Sequence, residues 1–137
     1  MGVSNKLKVT INSFSYKRGI PYDATGNGGG FVFDCRGLEN PGRYESFTFM
    51  TGQDQEVVDF LEEKSRVSEF LEHALALADV NISNYLTRGF NNLVIGFGCT
   101  GGQHRSVYCA EKFTQLLQRK FSGKIMVECN HLDIPDL

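Results

Sequence analysis

A chain of 137 residues is the length of one domain, long enough to bury about two-thirds of its unfolded surface. Its composition is that of an ordinary globular protein, 41% hydrophobic and 22% charged, with eleven phenylalanines and no tryptophan. A net charge of -2 excludes a global basic field that would pull the chain onto nucleic acid or an anionic membrane, and no apolar run approaches the roughly 20 residues that cross a bilayer.

Residues 6–16 open with Leu7, Val9 and Ile11 alternating with Lys8, Thr10 and Asn12, the period-two pattern of a strand with one solvated face. A polar loop follows to Pro21, carrying the basic pair Lys17 and Arg18. The run Thr25-Gly26-Asn27-Gly28-Gly29-Gly30 has the glycines of a nucleotide loop but the wrong context, since it precedes a strand instead of following one, and it reads as a flexible connection. Residues 31–36 form a second strand, with Asp34 and Arg36 on one side near its carboxyl end. An ion pair between them and support for a ligand loop are both open. Asn40-Pro41-Gly42 is a turn, and residues 43–50 are aromatic-rich and irregular.

Thr51 or Asp54 can cap the helical region that follows. There Phe60, Val67, Leu71, Leu75, Ala78, Ile82 and Leu86 recur at helical spacing, predicting two core-facing helices with a break near Ser65 or near Asp79-Val80-Asn81. His73 is an ordinary helical histidine, and Arg88-Gly89 supplies the stop. The apolar run Leu93, Val94, Ile95 and Phe97 is a buried strand. A helix from Ser106 to about Phe121 and a last strand over residues 124–129 complete the alternation, leaving a polar, slightly acidic tail. The fold class is α/β: a mainly parallel sheet of about four strands flanked by helices in a single domain over residues 1–137, with right-handed crossovers laying the long helices on the sheet faces. Cys35, Cys99, Cys109 and Cys129 are dispersed, with no C-x-x-C pair, which reads as reduced thiols in a cytoplasmic protein with neither cofactor nor metal.

The chemistry concentrates between Leu93 and Val107. A strand runs into Cys99, Thr100, Gly101 and Gly102, and Gln103, His104, Arg105 and Ser106 then open a helix. The first N–H groups of a helix lack intrahelical partners, and the helix dipole adds positive potential there. Paired glycines let successive N–H groups turn into one concavity, so the arrangement suits an oxyanion. Arg105 adds a bidentate donor for phosphate or carboxylate.

Cys99, five residues, then Arg105 and Ser106 also spell C-x5-R-S, a spacing that resembles the phosphate loop of cysteine-dependent phosphatases. In that alternative Cys99 is the nucleophile, Arg105 clamps the phosphoryl group and Ser106 assists the leaving thiolate. Asp23, Asp34 and Asp54 are candidates for the acid, and nothing in the sequence selects one.

The segment Gly98-Cys99-Thr100-Gly101-Gly102-Gln103-His104-Arg105-Ser106-Val107 resembles G-C-T-G-G-K-H-R-S-V of the C-terminal domain of the RapZ family of RNase adaptors. Ser13-Phe14 with Gly19-Ile20-Pro21, residues 31–36 with Asn40-Pro41, and Thr51-Gly52-Gln53-Asp54 match further motifs of that domain in the same order. The resemblance covers residues from about 8 to 127. It implies a phosphofructokinase-like α/β subdomain that binds an amino-sugar phosphate, glucosamine-6-phosphate, and small regulatory RNA. The implied anion pocket is Thr100, Gly101, Gly102, His104 and Arg105, with Arg36 approaching from the second strand and Gln103 and Ser106 completing the loop. Gln103 stands where the family has lysine, and Gly42 where the bacterial adaptor has histidine. Residues 130–137 replace a basic tail, removing cations on which salt-dependent RNA attraction relies. The family's ATP-binding domain has no counterpart in this chain, so no ATP hydrolysis is expected. The expected role is a sensor or adaptor that binds a phosphorylated or carboxylated metabolite. RNA stands second as a partner, a membrane is not expected, and oligomerisation is open.

Overall fold

The computed structural model describes residues 6–23, 25–26 and 30–137. Strand β1 (Leu7–Ser15) is followed by β2 (Gly30–Asp34), two 3-10 turns at Pro41–Arg43 and Glu45–Phe47, helices α1 (Gln55–Lys64) and α2 (Val67–Arg88), β3 (Asn92–Cys99), α3 (Arg105–Lys120) and β4 (Ile125–His131). The four strands form one all-parallel sheet in the order β2-β3-β1-β4. Residues 24 and 27–29 of the expected glycine connection lie outside the described residues.

Period-two alternation sends Leu7, Val9 and Ile11 of β1, Leu93, Ile95 and Phe97 of β3, and Ile125 of β4 into one core with Val57, Leu61, Leu71, Ala78, Phe113 and Leu117 of the helices. All three helices therefore pack on one face, whereas the crossover rule as applied to the sequence set helices on the sheet faces generally. The strand order supplies the reason. The β2-to-β3 and β3-to-β4 connections travel in the same direction along the sheet, and right-handed crossovers in one direction leave their helices on one side. The β1-to-β2 connection travels the other way and carries no helix among its described residues. Its Ile20, Pro21 and Tyr22 border a hollow of about 580 Å³ against Val32 and Val94, on the face away from the helices.

The break in the long helical region falls at Ser65, where the Ser65 hydroxyl donates to the Leu61 carbonyl at 2.7 Å and accepts from the Val67 N–H at 3.2 Å. One side chain thus ends α1 and begins α2. The other candidate, Asp79-Val80-Asn81, stays helical, and Asp79 pairs with Lys120 of α3 at 3.2 Å. Gly89 ends α2 with a left-handed φ of 75°. Strand β4 runs two residues further than expected, to His131, and the tail beyond it is tied back: Leu132 N–H donates to the Ser13 carbonyl at 3.0 Å, and the Asp133 carboxylate accepts from the Ser15 N–H at 2.8 Å. No helix is long and apolar enough to cross a membrane among the described residues.

Candidate anion-binding site

Parallel pairing brings the carboxyl ends of β1, β2 and β3 together, and ligands of α/β sheets bind outside such ends. Here β3 delivers Cys99, the loop turns through residues 100–104, and α3 begins at Arg105. Gly102 holds a left-handed φ of 68°, and a Cβ there would lie 3.1 Å from both Asp133 and Ser15 side-chain carbons, so the position needs glycine on both counts. The loop is fastened on two sides. Ser15 Oγ donates to the Thr100 carbonyl at 2.6 Å, and Gly52 N–H donates to the Gln103 carbonyl at 3.0 Å. Gly52 approaches α3 so closely that a Cβ would collide with the His104 carbonyl and the Tyr108 nitrogen. That is the structural use of the Thr51-Gly52-Gln53-Asp54 motif.

A recess of about 160 Å³ opens here, lined by Asn40, Gly42, Cys99, Thr100, Gly101, Gln103, His104 and Arg105. It is smaller than the hollow beside Tyr22, but it lies at the start of α3 and is lined by Thr100, Gly101 and Arg105. Among the described residues, none of the N–H groups of residues 101–106 donates to a protein acceptor. Arg105 is only 5% exposed. Its Nη1 donates to the carbonyls of Arg36 at 2.8 Å and Leu38 at 3.1 Å, its buried Nε has no partner, and it forms no ion pair among the described residues. Burying a guanidinium without a close counter-anion is costly, and a bound anion would offset that cost.

The remaining expected residues divide by what already holds them. Both N–H groups of the Gln103 amide are engaged, donating to the carbonyls of Thr48 and Met50 at 2.8 Å each. His104 Nε2 lies 2.9 Å from the Phe47 carbonyl, so it carries the proton there, and the ring ties the loop to the second 3-10 turn. Ser106 is fully buried and its hydroxyl accepts from the Cys99 thiol at 3.1 Å. The Arg36 guanidinium lies outside the recess lining, gripping Asp34 through Nε and Nη2 at 2.7–3.1 Å and stacking 3.8 Å from the Tyr16 ring centroid. Its main-chain carbonyl is what reaches Arg105, so the ion pair and the support of the loop are both present. No carboxylate lines the recess among the described residues: Asp34 faces Arg36, Asp54 accepts from Thr51 N–H and Asp23 from Thr25. Sequence reasoning missed the contributions of Ser13, Ser15 and Asp133, which come from a strand end and a tail whose polar residues look solvated in the chain.

The model of the RapZ C-terminal domain matches residues 7–135. The chain belongs to the RapZ C-terminal domain family. Its relatives include nucleotide-binding proteins of Thermotoga neapolitana, 38% identical over 98% of this chain and 45% of the relative, and of Cereibacter sphaeroides, 44% identical over 80% and 35%. A third, from Fervidobacterium nodosum, is 40% identical over 92% of this chain and 42% of its own length. The chain thus spans less than half the length of these RapZ-family relatives.

Proposed function

We propose that the loop over residues 99–106 binds a small phosphorylated or carboxylated metabolite and that the domain works as a sensor or adaptor. One observation carries the reading: among the described residues Arg105 is buried without a close ion pair, at the edge of a recess beside a helix start whose first N–H groups have no protein acceptor. An anion supplies what both lack, at the positive end of α3. Within the family resemblance, an amino-sugar phosphate such as glucosamine-6-phosphate is the first ligand to try. The relatives' nucleotide-binding names describe proteins more than twice this length, so a nucleotide is a second ligand class to include. RNA is third, since the net charge of -2 and the residues after His131 supply little phosphate attraction.

The Cys99–Ser106 hydrogen bond is the contact that favours the other chemistry, a cysteine phosphatase. Among the described residues no carboxylate lines the recess, so that reaction has no proton donor at hand for the leaving group, which is why binding is preferred.

A thermal-shift titration with inorganic phosphate, glucosamine-6-phosphate and unphosphorylated glucosamine tests the proposal. A ligand at about a hundred times its dissociation constant stabilises the fold by about 2.7 kcal/mol, readily seen in the melting temperature. The shift should need the phosphate and disappear in Arg105→Ala. Arg105→Lys, which keeps the charge but loses the planar fork, should weaken it. Cys99→Ser should retain binding; release of phosphate by wild type and its loss in Cys99→Ser would establish the phosphatase instead. No shift with any of the three compounds overturns the anion site.

A further inference from the structure

Away from the recess, three side chains with metal-ligand chemistry converge between α3 and the edge strand β4. Cys129 and His131, two residues apart, share the face of β4 that α3 covers, and Glu111 reaches them from the second turn of that helix. Glu111 Oε2 lies 2.7 Å from His131 Nε2 and 3.7 Å from Cys129 Sγ, and Sγ and Nε2 are 4.0 Å apart. All three donor atoms lie within 4.8 Å of one another.

We propose that Glu111, Cys129 and His131 form a three-ligand site for a zinc-class divalent cation, with its fourth position open to water or an external anion. Tetrahedral zinc with bonds of about 2.0–2.3 Å holds its ligands roughly 3.3–3.7 Å apart. Two of the separations are within a few tenths of an ångström of that spacing, and the third needs only the Glu111 side chain to swing back from the imidazole. The donor set suits the ion: carboxylate and thiolate together neutralise a dication, and the thiol gives up its proton to solvent on binding. His131 is already aimed. Its Nδ1 lies 2.7 Å from Ser13 Oγ on β1, which leaves Nε2 for the metal, the outer-shell arrangement that fixes a ligating imidazole. The position is accessible, because β4 pairs with β1 alone and the Glu111 side chain is 39% exposed. A plain Glu–His hydrogen bond accounts for the 2.7 Å contact. It leaves unexplained why a thiol points at the same carboxylate oxygen and why a buried serine braces the ring.

Chain spacing hides such a site, since Glu111 and Cys129 stand far apart in sequence and only the α3–β4 packing brings them together. It shares no residue with the anion recess, so either can fail without the other.

The test uses the full chain freed of metal by a chelator. Calorimetric titration with Zn²⁺ should give one equivalent, and Co²⁺ should produce a sulfur-to-cobalt charge-transfer band. Cys129→Ser should remove the band, and His131→Ala should weaken Zn²⁺ binding by about a hundredfold or more. Ser13→Ala, which removes no ligand, should weaken it by about 10- to 100-fold. Absence of the cobalt band in folded wild-type protein overturns the proposal whatever the variants do. So does Zn²⁺ affinity that stays within about twofold in a folded Cys129→Ser protein.

Discussion

Asp34 is held below the ordinary aspartate range, first by the hydrogen bonds from the Arg36 side chain, against the smaller opposing effect of burial. A carboxyl whose folded pKa is depressed adds stability that is present above its unfolded value and is lost as pH falls through the folded one. For Asp34 that loss begins below about pH 4, and it is small because the side chain is 47% exposed and the pair is screened. Arg36→Ala should therefore move the Asp34 titration midpoint upward, toward that of a free aspartate. An NMR pH titration of the carboxyl carbons reads this directly, and an unmoved midpoint would show that Arg36 is not the cause. Tyr108 presents the opposite sign. Its phenol is pushed well above 10.0, first by burial and then by the hydrogen bond to Glu62 at 2.6 Å. Stability from a raised phenol is fully present below the unfolded value and drains away as pH rises above about 10. Tyr108→Phe should cost about 1 kcal/mol at neutral pH and flatten the decline of stability above pH 10, as followed by urea melts across that range.

Elements meet at two points that carry the site. Gly52 lets the segment before α1 touch the first turn of α3, and its N–H holds the Gln103 carbonyl at 3.0 Å. Gly52→Ala drives a methyl group into the α3 backbone at His104 and Tyr108, so the loop must shift and phosphate binding should fall even where the protein still folds. Gly102→Ala should cost about 1–2 kcal/mol for the left-handed backbone alone, more with the crowding against Asp133 and Ser15, measured by denaturant unfolding. The break between α1 and α2 belongs to the same scale. Ser65 serves both helices, and Ser65→Ala should cost about 1 kcal/mol.

Across the whole molecule, stability rests on an aromatic core beneath a sheet with helices on one face. Phe97 stacks on Phe33 with ring centroids 5.4 Å apart and meets Phe113 edge-on at 5.1 Å, joining β2, β3 and α3 at the centre. Phe97→Ala should destabilise by about 3–5 kcal/mol, with the midpoint of urea unfolding falling while the slope is kept. An anion in the recess should recover part of that loss, because binding to the native state adds to stability by mass action.

Local chemistry alone made several features legible. Alternation in β1, the apolar run of β3, the heptad-like spacing of α2 and the stop at Gly89 are short-range patterns, written within a few turns or pleats of chain. The strand, glycine loop and helix start at residues 99–106 were legible for the same reason, since a strand end, paired glycines and the first turn of a helix are all local features of the chain. What lay beyond the sequence depends on contacts between distant segments. Strand order decided that α1, α2 and α3 cover the same face. Carbonyls of Arg36, Leu38, Phe47, Thr48 and Met50 decided which loop side chains are already held, and nothing in the chain marks a carbonyl as an acceptor for a residue some sixty positions away. The tail read only as polar and slightly acidic, yet parallel pairing of β4 with β1 sets His131 beside Ser13 and leads Asp133 to Ser15. Periodicity reports which face a residue occupies; only the packed sheet determines what stands opposite it.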